Sequence, residues 1–161
     1  MVTVPVVIVR INHGPVAIFS SKLDYALRAL LDLASQPKGH TAQSREIAHR
    51  QEIPESYLNQ LLVILRRAGL VRSIRGAAGG YTLGRDPSQL SVADVVEALH
   101  GDDLLGQIAP GVGGHASTLV VRELQRRLNS ALHSEMARTT LASLSAEVDR
   151  MDEARSLMLG L

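Results

Sequence analysis

Residues 44–83 read SREIAHRQEIPESYLNQLLVILRRAGLVRSIRGAAGGYTL, and the reading of this stretch decides the fold. Ser44 to Gln51 can form a short helix in which Ile47 and Ala48 sit side by side. Glu52-Ile53-Pro54 breaks it, because a proline ring disfavours helical geometry in the residue before it while its own fixed φ suits the start of a new helix. The second helix runs from Pro54 or Glu55 to Ala68 and stops at Gly69. Within it Leu58, Leu61, Leu62 and Leu65 recur at i, i+3, i+4 and i+7, one apolar stripe along one face. The opposite face is polar and carries Ser56, Tyr57, Asn59, Gln60, Arg66 and Arg67.

An ordinary amphipathic helix with a solvated face would look the same, since helix pairs with a short turn are common. The polar residues nonetheless have the chemistry to read a major groove. Gln60 can pair with adenine in bidentate fashion, Ser56 and Asn59 can read or position, and Tyr57 can reach a base or a phosphate. The segment after Gly69 tips the balance toward DNA. Leu70 to Ile74 alternates like a strand, Arg75-Gly76-Ala77-Ala78-Gly79-Gly80 is a flexible turn, and Tyr81-Thr82-Leu83 starts the returning strand.

The result is a hairpin with an arginine beside its tip. Glycines let a backbone approach another surface closely, and an arginine suits the strong negative potential of a narrow minor groove, so Arg75 is the minor-groove candidate. Arg72, Gly76 and Tyr81 of the same hairpin join it as DNA-facing candidates. A phosphate cradle for a nucleotide is the competing reading of the glycine run. It lacks the Lys-Ser/Thr ending of a P-loop and no helix comes directly after it.

SSKLDYALRALLDLA, SREIA, IPESYLNQLLVILRRAGLVRSIRGAAGGYTL and LSVADVVEAL, in this order and spacing, resemble the Rrf2 family of bacterial winged-helix transcriptional regulators. That family includes the iron-sulfur cluster regulator, the nitric-oxide-sensing repressor and the cysteine-metabolism repressor. The resemblance runs from about Ser20 to the C-terminus and is strongest up to Leu99. It implies that Tyr57 and Gln60 face DNA from a recognition helix and that Arg75 enters the minor groove. It also implies three ligand cysteines and a histidine near residues 102–117, with Asp24 matching a cluster-coordinating aspartate of the nitric-oxide-sensing branch. This chain has no cysteine, so a thiolate-ligated cluster is excluded, and Asp24 reads as a surface or capping-region charge. His115 falls near one ligand position, and Thr118 stands where the histidine would.

Length and composition agree with one domain. The 161 residues suit a modest core with an extension that packs on a partner, and 45% hydrophobic residues with only 2% aromatic imply a core of Leu, Val, Ile and Ala. A formal net charge of +1 says little about nucleic acid, but its distribution does. Residues 44–85 hold seven Lys and Arg against three Asp and Glu, a surplus of four. Residues 86–161 hold six against eleven, so the basic third coincides with the proposed reading head and the acidic part should face away from DNA. No run is long enough to span a bilayer, and VPVVIV lacks the flanks of a signal peptide, so a cytoplasmic protein is expected.

The rest of the chain reads as a frame. Residues 1–19 form an N-terminal extension, for which we expect little order, with an added edge strand or a partner-packing segment as alternatives. Ser21 to about Gln36 is a helix with Leu23, Ala26, Leu27, Leu30, Leu31 and Ala34 on one face, capped by Ser20 or Ser21 and ended by Pro37-Lys38-Gly39. Ser91 caps a helix with Val92, Val95, Val96 and Leu99 as its apolar face, which completes a winged helix-turn-helix over residues 20–100.

Residues 101–117 form a glycine-rich effector-loop region, where His100, Asp102, Asp103 and His115 are weak metal candidates because their spacing matches no known ligand pattern. Residues 118–161 hold two dimerisation helices. Val121, Leu124, Leu128 and Ala131, with Leu132 beside them, make a seam on the first, and Leu141, Leu144, Val148 and Met151 repeat the theme on the second. Pattern alone leaves internal packing and self-association equal, and the resemblance favours a homodimer.

The fold class expected is therefore mainly α with a small β-hairpin. The function expected is a sequence-specific, homodimeric DNA-binding regulator, a repressor on a pseudo-palindromic operator in double-stranded DNA, with no cofactor. A regulatory protein or small-molecule effector would supply the signal. The alternative is a protein-interaction module controlled by docking of a metabolic enzyme. No nucleophile-base-orienter set or cofactor fingerprint points to an enzyme.

Overall fold

A computed structural model of the chain describes residues 9–11, 14–16, 20–37, 39–76, 79–100 and 115–159. In chain order the elements are β1 (Val9–Ile11), β2 (Gly14–Val16), α1 (Ser21–Ala34), α2 (Ser44–Gln51), α3 (Glu55–Arg67), β3 (Val71–Ile74) and β4 (Gly80–Leu83). A 3-10 turn at Pro87–Gln89 leads to α4 (Val92–His100), α5 (Ala116–Arg138) and α6 (Leu141–Leu159). The fold is mainly α with a β-hairpin, arranged as a winged helix-turn-helix followed by two long helices. Little order was expected across residues 1–19. Instead β1 and β2 pair antiparallel, with Arg10 opposite Pro15.

α1 is the centre of the core. Ser20 caps it by accepting the Leu23 N–H at 3.3 Å, and the helix packs against α2, α3, α4, α6 and β4. Because neighbours surround it, its apolar face is wider than the expected stripe: Ala29 and Leu33 are buried as well, while Leu31 and Ala34 at the expected edge are only partly so. The leucine stripe of α3 is fully buried over all four positions, and each such side chain is worth roughly 1.5 to 3 kcal/mol of transfer free energy.

Two helix ends set the direction of α3. α3 stops at Gly69, whose φ of +72° lets the Leu70 N–H reach the Leu65 carbonyl at 2.9 Å while the Gly69 N–H bonds the Arg66 carbonyl at 3.0 Å. α2 stops the same way without a glycine. Glu52 takes a φ of +52°, and the Ile53 N–H closes on the Ala48 carbonyl at 2.9 Å. The left-handed Glu52 costs about 1 to 2 kcal/mol that the buried Ile53 offsets by locking the turn between the helices.

α4 opens on a reciprocal cap. Asp94 accepts the Ser91 N–H at 2.8 Å, and the Asp94 N–H bonds Ser91 Oγ at 3.2 Å. Arg85 lies 3.6 Å from the same carboxylate. Partial burial pulls the Asp94 pKa upward, but the hydrogen bonds from Ser91 and the charge of Arg85 outweigh it and hold the carboxyl below its usual value. A folded value below the unfolded one gives stability that is present above the unfolded pKa and lost as pH falls through the folded one. Asp94→Ala should therefore cost about 1 kcal/mol at neutral pH in urea denaturation, and its gap from the parent protein should close once the pH falls well below about 4.

α5 and α6 meet at a stitched joint. The Val92 N–H bonds the Thr139 carbonyl at 2.9 Å and the Leu141 N–H bonds the Leu90 carbonyl at 2.7 Å, fixing both helices to the start of α4. α5 begins at Ala116 and ends at Arg138, and none of its 23 residues is buried. On α6 Leu141 is buried and Leu144 partly so, whereas Val148 and Met151 are exposed. Among the described residues no helix is long and apolar enough to cross a membrane.

Candidate nucleic-acid interface

The buried stripe of α3 turns its other face outward by geometry alone. Ser56, Asn59, Gln60, Arg66 and Arg67 are all exposed, and Val63 joins them in the middle of that face. Tyr57 differs from the rest. It is partly buried, and its ring meets that of Tyr25 edge-on at 5.8 Å, so it ties the reading helix to α1. Arg28 lies 5.8 Å above the Tyr25 ring and also donates to the Gln51 carbonyl, which makes one chain of contacts from α1 to both helices of the pair.

β3 and β4 form the wing, with Arg72 opposite Thr82 and Ser73 opposite Tyr81. Arg72, Ile74, Arg75 and Gly76 are exposed, and Tyr81 is partly buried. The two central tip residues, Ala77 and Ala78, lie outside the described residues. The wing does not hang free. The Tyr81 N–H donates to the Ala42 carbonyl at 2.8 Å and the Ala42 N–H to the Tyr81 carbonyl at 3.0 Å, so β4 is anchored on the segment leading into α2. This close approach needs Gly80, where a Cβ would stand 2.6 Å from the Ala42 carbonyl oxygen.

The arginines of the basic third divide into two groups. Arg50 is taken up by Asp32, with Nε to Oδ1 at 2.8 Å and an Nη to Oδ2 at 2.7 Å, and Arg85 pairs with Asp94. Arg66 reaches Ser73 Oγ at 3.5 Å, which links α3 to the wing. Among the described residues Arg45, Arg67, Arg72 and Arg75 stand exposed with no ion-pair partner. Arg45, within the SREIA segment, is not among the DNA-facing residues expected from the sequence, and the structure places it exposed beside them. It lies in the first turn of α2, where the Gln43 N–H bonds the Glu46 carboxylate at 2.9 Å.

The proposed seam of α5 is solvent-facing in the single chain. Val121, Leu124 and Leu128 are about half exposed, Ala131 is exposed, and Leu132 lies at the border of that face, partly buried. Of the metal candidates, Asp102 and Asp103 lie outside the described residues, His115 is exposed at the start of α5, and His100 Nε2 is 3.2 Å from Ser20 Oγ. Partial desolvation and the charge of Lys22 hold His100 below the usual histidine value. Asp24, read as a surface charge, pairs with Arg28 at 3.4 Å.

Known proteins share this fold. A family model described as Rrf2, iron-dependent transcriptional regulator, matches residues 19–147. The HTH-type transcriptional regulator CymR of Bacillus subtilis is 35% identical over 135 residues, which cover 84% of this chain and 94% of that protein. An HTH-type transcriptional regulator of Synechocystis is 48% identical over 80 residues, half of this chain and 54% of that relative. The solved structure of CymR, described as the global cysteine regulator of B. subtilis, superposes with a TM-score of 0.66 at 34% identity, covering 80% of this chain and 96% of that one.

Proposed function

The chain belongs to the Rrf2 family of DNA-binding transcriptional regulators, and from that footing we propose that it works as a homodimeric, cysteine-free repressor of a pseudo-palindromic operator. It is a regulator and not an enzyme. The observation that carries the reading is the exposed polar row on α3 together with exposed arginines on α3 and the wing that have no ion-pair partner among the described residues, the two elements being linked by Arg66 and Ser73. Ser56, Asn59 and Gln60 reach base edges in the major groove, and Tyr57 buttresses the helix at its edge. Arg66, Arg67 and Arg72 neutralise phosphate, and Arg75, with Gly76 and Tyr81 shaping the wing, enters the minor groove.

Residues 20–100 are the reading domain, 101–117 the effector region and 118–161 the dimerisation helices, with 1–19 an added extension. Val121, Leu124, Leu128, Ala131 and Leu132 of α5 meet their twins across a two-fold axis. That pairing sets the two reading helices over successive major grooves about 34 to 36 Å apart. The iron dependence in the family's description does not fit the residues of this chain. Without cysteine it offers no thiolate, and among the described residues no three His, Asp or Glu side chains gather around a common point. The signal is then a bound effector or a docked protein in the cytoplasm.

Fluorescence anisotropy on the protein's own upstream promoter and on random duplex, across a salt series, tests the reading. Promoter binding should be tight, selective and steeply salt-dependent. Gln60→Ala should lose about 1 to 3 kcal/mol of discrimination at one base position, while Arg67→Ala weakens all sequences alike. Equal losses on both duplexes for Gln60→Ala would contradict its assignment as a base reader.

A further inference from the structure

Between residues 20 and 100 every large apolar side chain among the described residues lies in the core or packs against it, with two exceptions, Val63 and Ile74. Both stand on the elements read as facing DNA. Ile74 precedes Arg75 on the wing and is paired with Gly80, which offers it no side chain to pack on. Val63 lies in line with Ser56, Gln60 and Arg67, spaced i, i+4, i+7 and i+11 along α3, on the side opposite the buried leucines.

The core does not account for a valine at this place. Val63 is outside the packed cluster, and its β-branch makes it a poorer helix former than alanine or than the glutamine and arginines in its row. The same branch suits a surface that must be met in one way. In a helix one χ1 rotamer dominates, so the two methyl groups stand at a set place, and little side-chain freedom is lost when they are covered.

Base edges in the major groove carry one apolar group, the C5 methyl of thymine, and aliphatic side chains are its partners. Val63 follows Gln60 by three residues, a rise of about 4.5 Å along the helix, of the same order as the spacing of about 3.4 Å between base pairs. We propose that Val63, on the reading of α3 as the recognition helix, meets the C5 methyl of a thymine beyond the base pair under Gln60. Cytosine at that position has no methyl to offer, and a purine sets its N7 acceptor against the valine with no donor to satisfy it. Ile74 has no such role, because the minor-groove edges that the wing addresses carry no methyl group.

The test uses a duplex enriched from a random pool by the full chain, with deoxyuridine replacing each thymine in turn, which removes the methyl and leaves the pairing intact. Anisotropy should find at least one thymine position where the exchange weakens the parent protein about three- to fivefold, the worth of one buried methyl. Val63→Ala should bind the thymine duplex weaker by the same factor and be indifferent to deoxyuridine at that position. Arg67→Ala should weaken both duplexes while keeping the parent's ratio between them. Val63→Ala should also keep or raise the thermal midpoint, since alanine favours the helix, so that a lost ratio is not lost folding. A parent protein that responds at no thymine, or a response unchanged in Val63→Ala, would overturn the assignment and leave the polar row of α3 as the reader. A pool that yields no enriched sequence would overturn the reading of α3, and that of Val63 with it.

Discussion

Leu124→Asp combined with Leu128→Asp should convert the protein to a monomer and weaken operator binding by about a hundredfold or more. The two side chains are 47% and 49% exposed in the single chain, one turn apart on a helix that has no buried residue. They contribute little to their own domain, so the winged helix should keep its fold. At a two-fold interface, four carboxylates would face an apolar seam with no counter-charge, and burying an unpaired carboxylate costs several kcal/mol. The DNA loss is larger than any contact it removes, because two linked reading helices gain about 10² to 10⁴ over one from effective concentration alone. Sedimentation equilibrium and anisotropy on the operator read the two effects separately. A variant that stays dimeric with undiminished DNA affinity would place the interface elsewhere.

Arg50→Ala should destabilise the fold by about 3 kcal/mol, more than the loss of an ordinary surface ion pair at about 0 to 1 kcal/mol. The cause is an asymmetry of burial. The Asp32 side chain is 3% exposed and that of Arg50 40%, so removing the arginine strands a carboxylate inside the protein with, among the described residues, the Gln51 amide at 3.1 Å still donating to it. Asp32→Asn leaves the arginine free to turn into water and should cost less. Urea denaturation of both variants checks the order, and an Arg50→Ala loss no larger than that of Asp32→Asn would show that the pair stabilises nothing beyond its hydrogen bonds.

The reading head was legible from its sequence because its logic is local. The stripe Leu58, Leu61, Leu62 and Leu65, the break at Pro54 and the stop at Gly69 all act within a few residues, and each reappears in α3 as expected. The Asp32–Arg50 pair was not legible. Its partners are 18 positions apart, and an aspartate within a helix gives no sign of which way it will face. For the same reason the burial of Ala29 and Leu33 was missed, since it depends on how many elements surround α1 rather than on α1 itself. Glu52 shows a subtler limit: the proline two positions on marked the break, but nothing local says that a glutamate takes the conformation usually left to glycine.

The backbone bridge between Ala42 and Tyr81 makes the wing and the helix pair one frame, with a fixed distance from the arginine tip to the reading helix. A protein that places Gln60 and Arg75 on DNA as proposed would measure its target like a caliper. On the proposed reading, an operator must present, besides the bases under Gln60, its narrowest minor groove at one set phase along the duplex, and a single inserted base pair moves that groove by about 3.4 Å and rotates it out of reach. Sites with every preferred base but the wrong spacing would be passed over, so part of the specificity would lie in the rigidity of the joint between Ala42 and Tyr81.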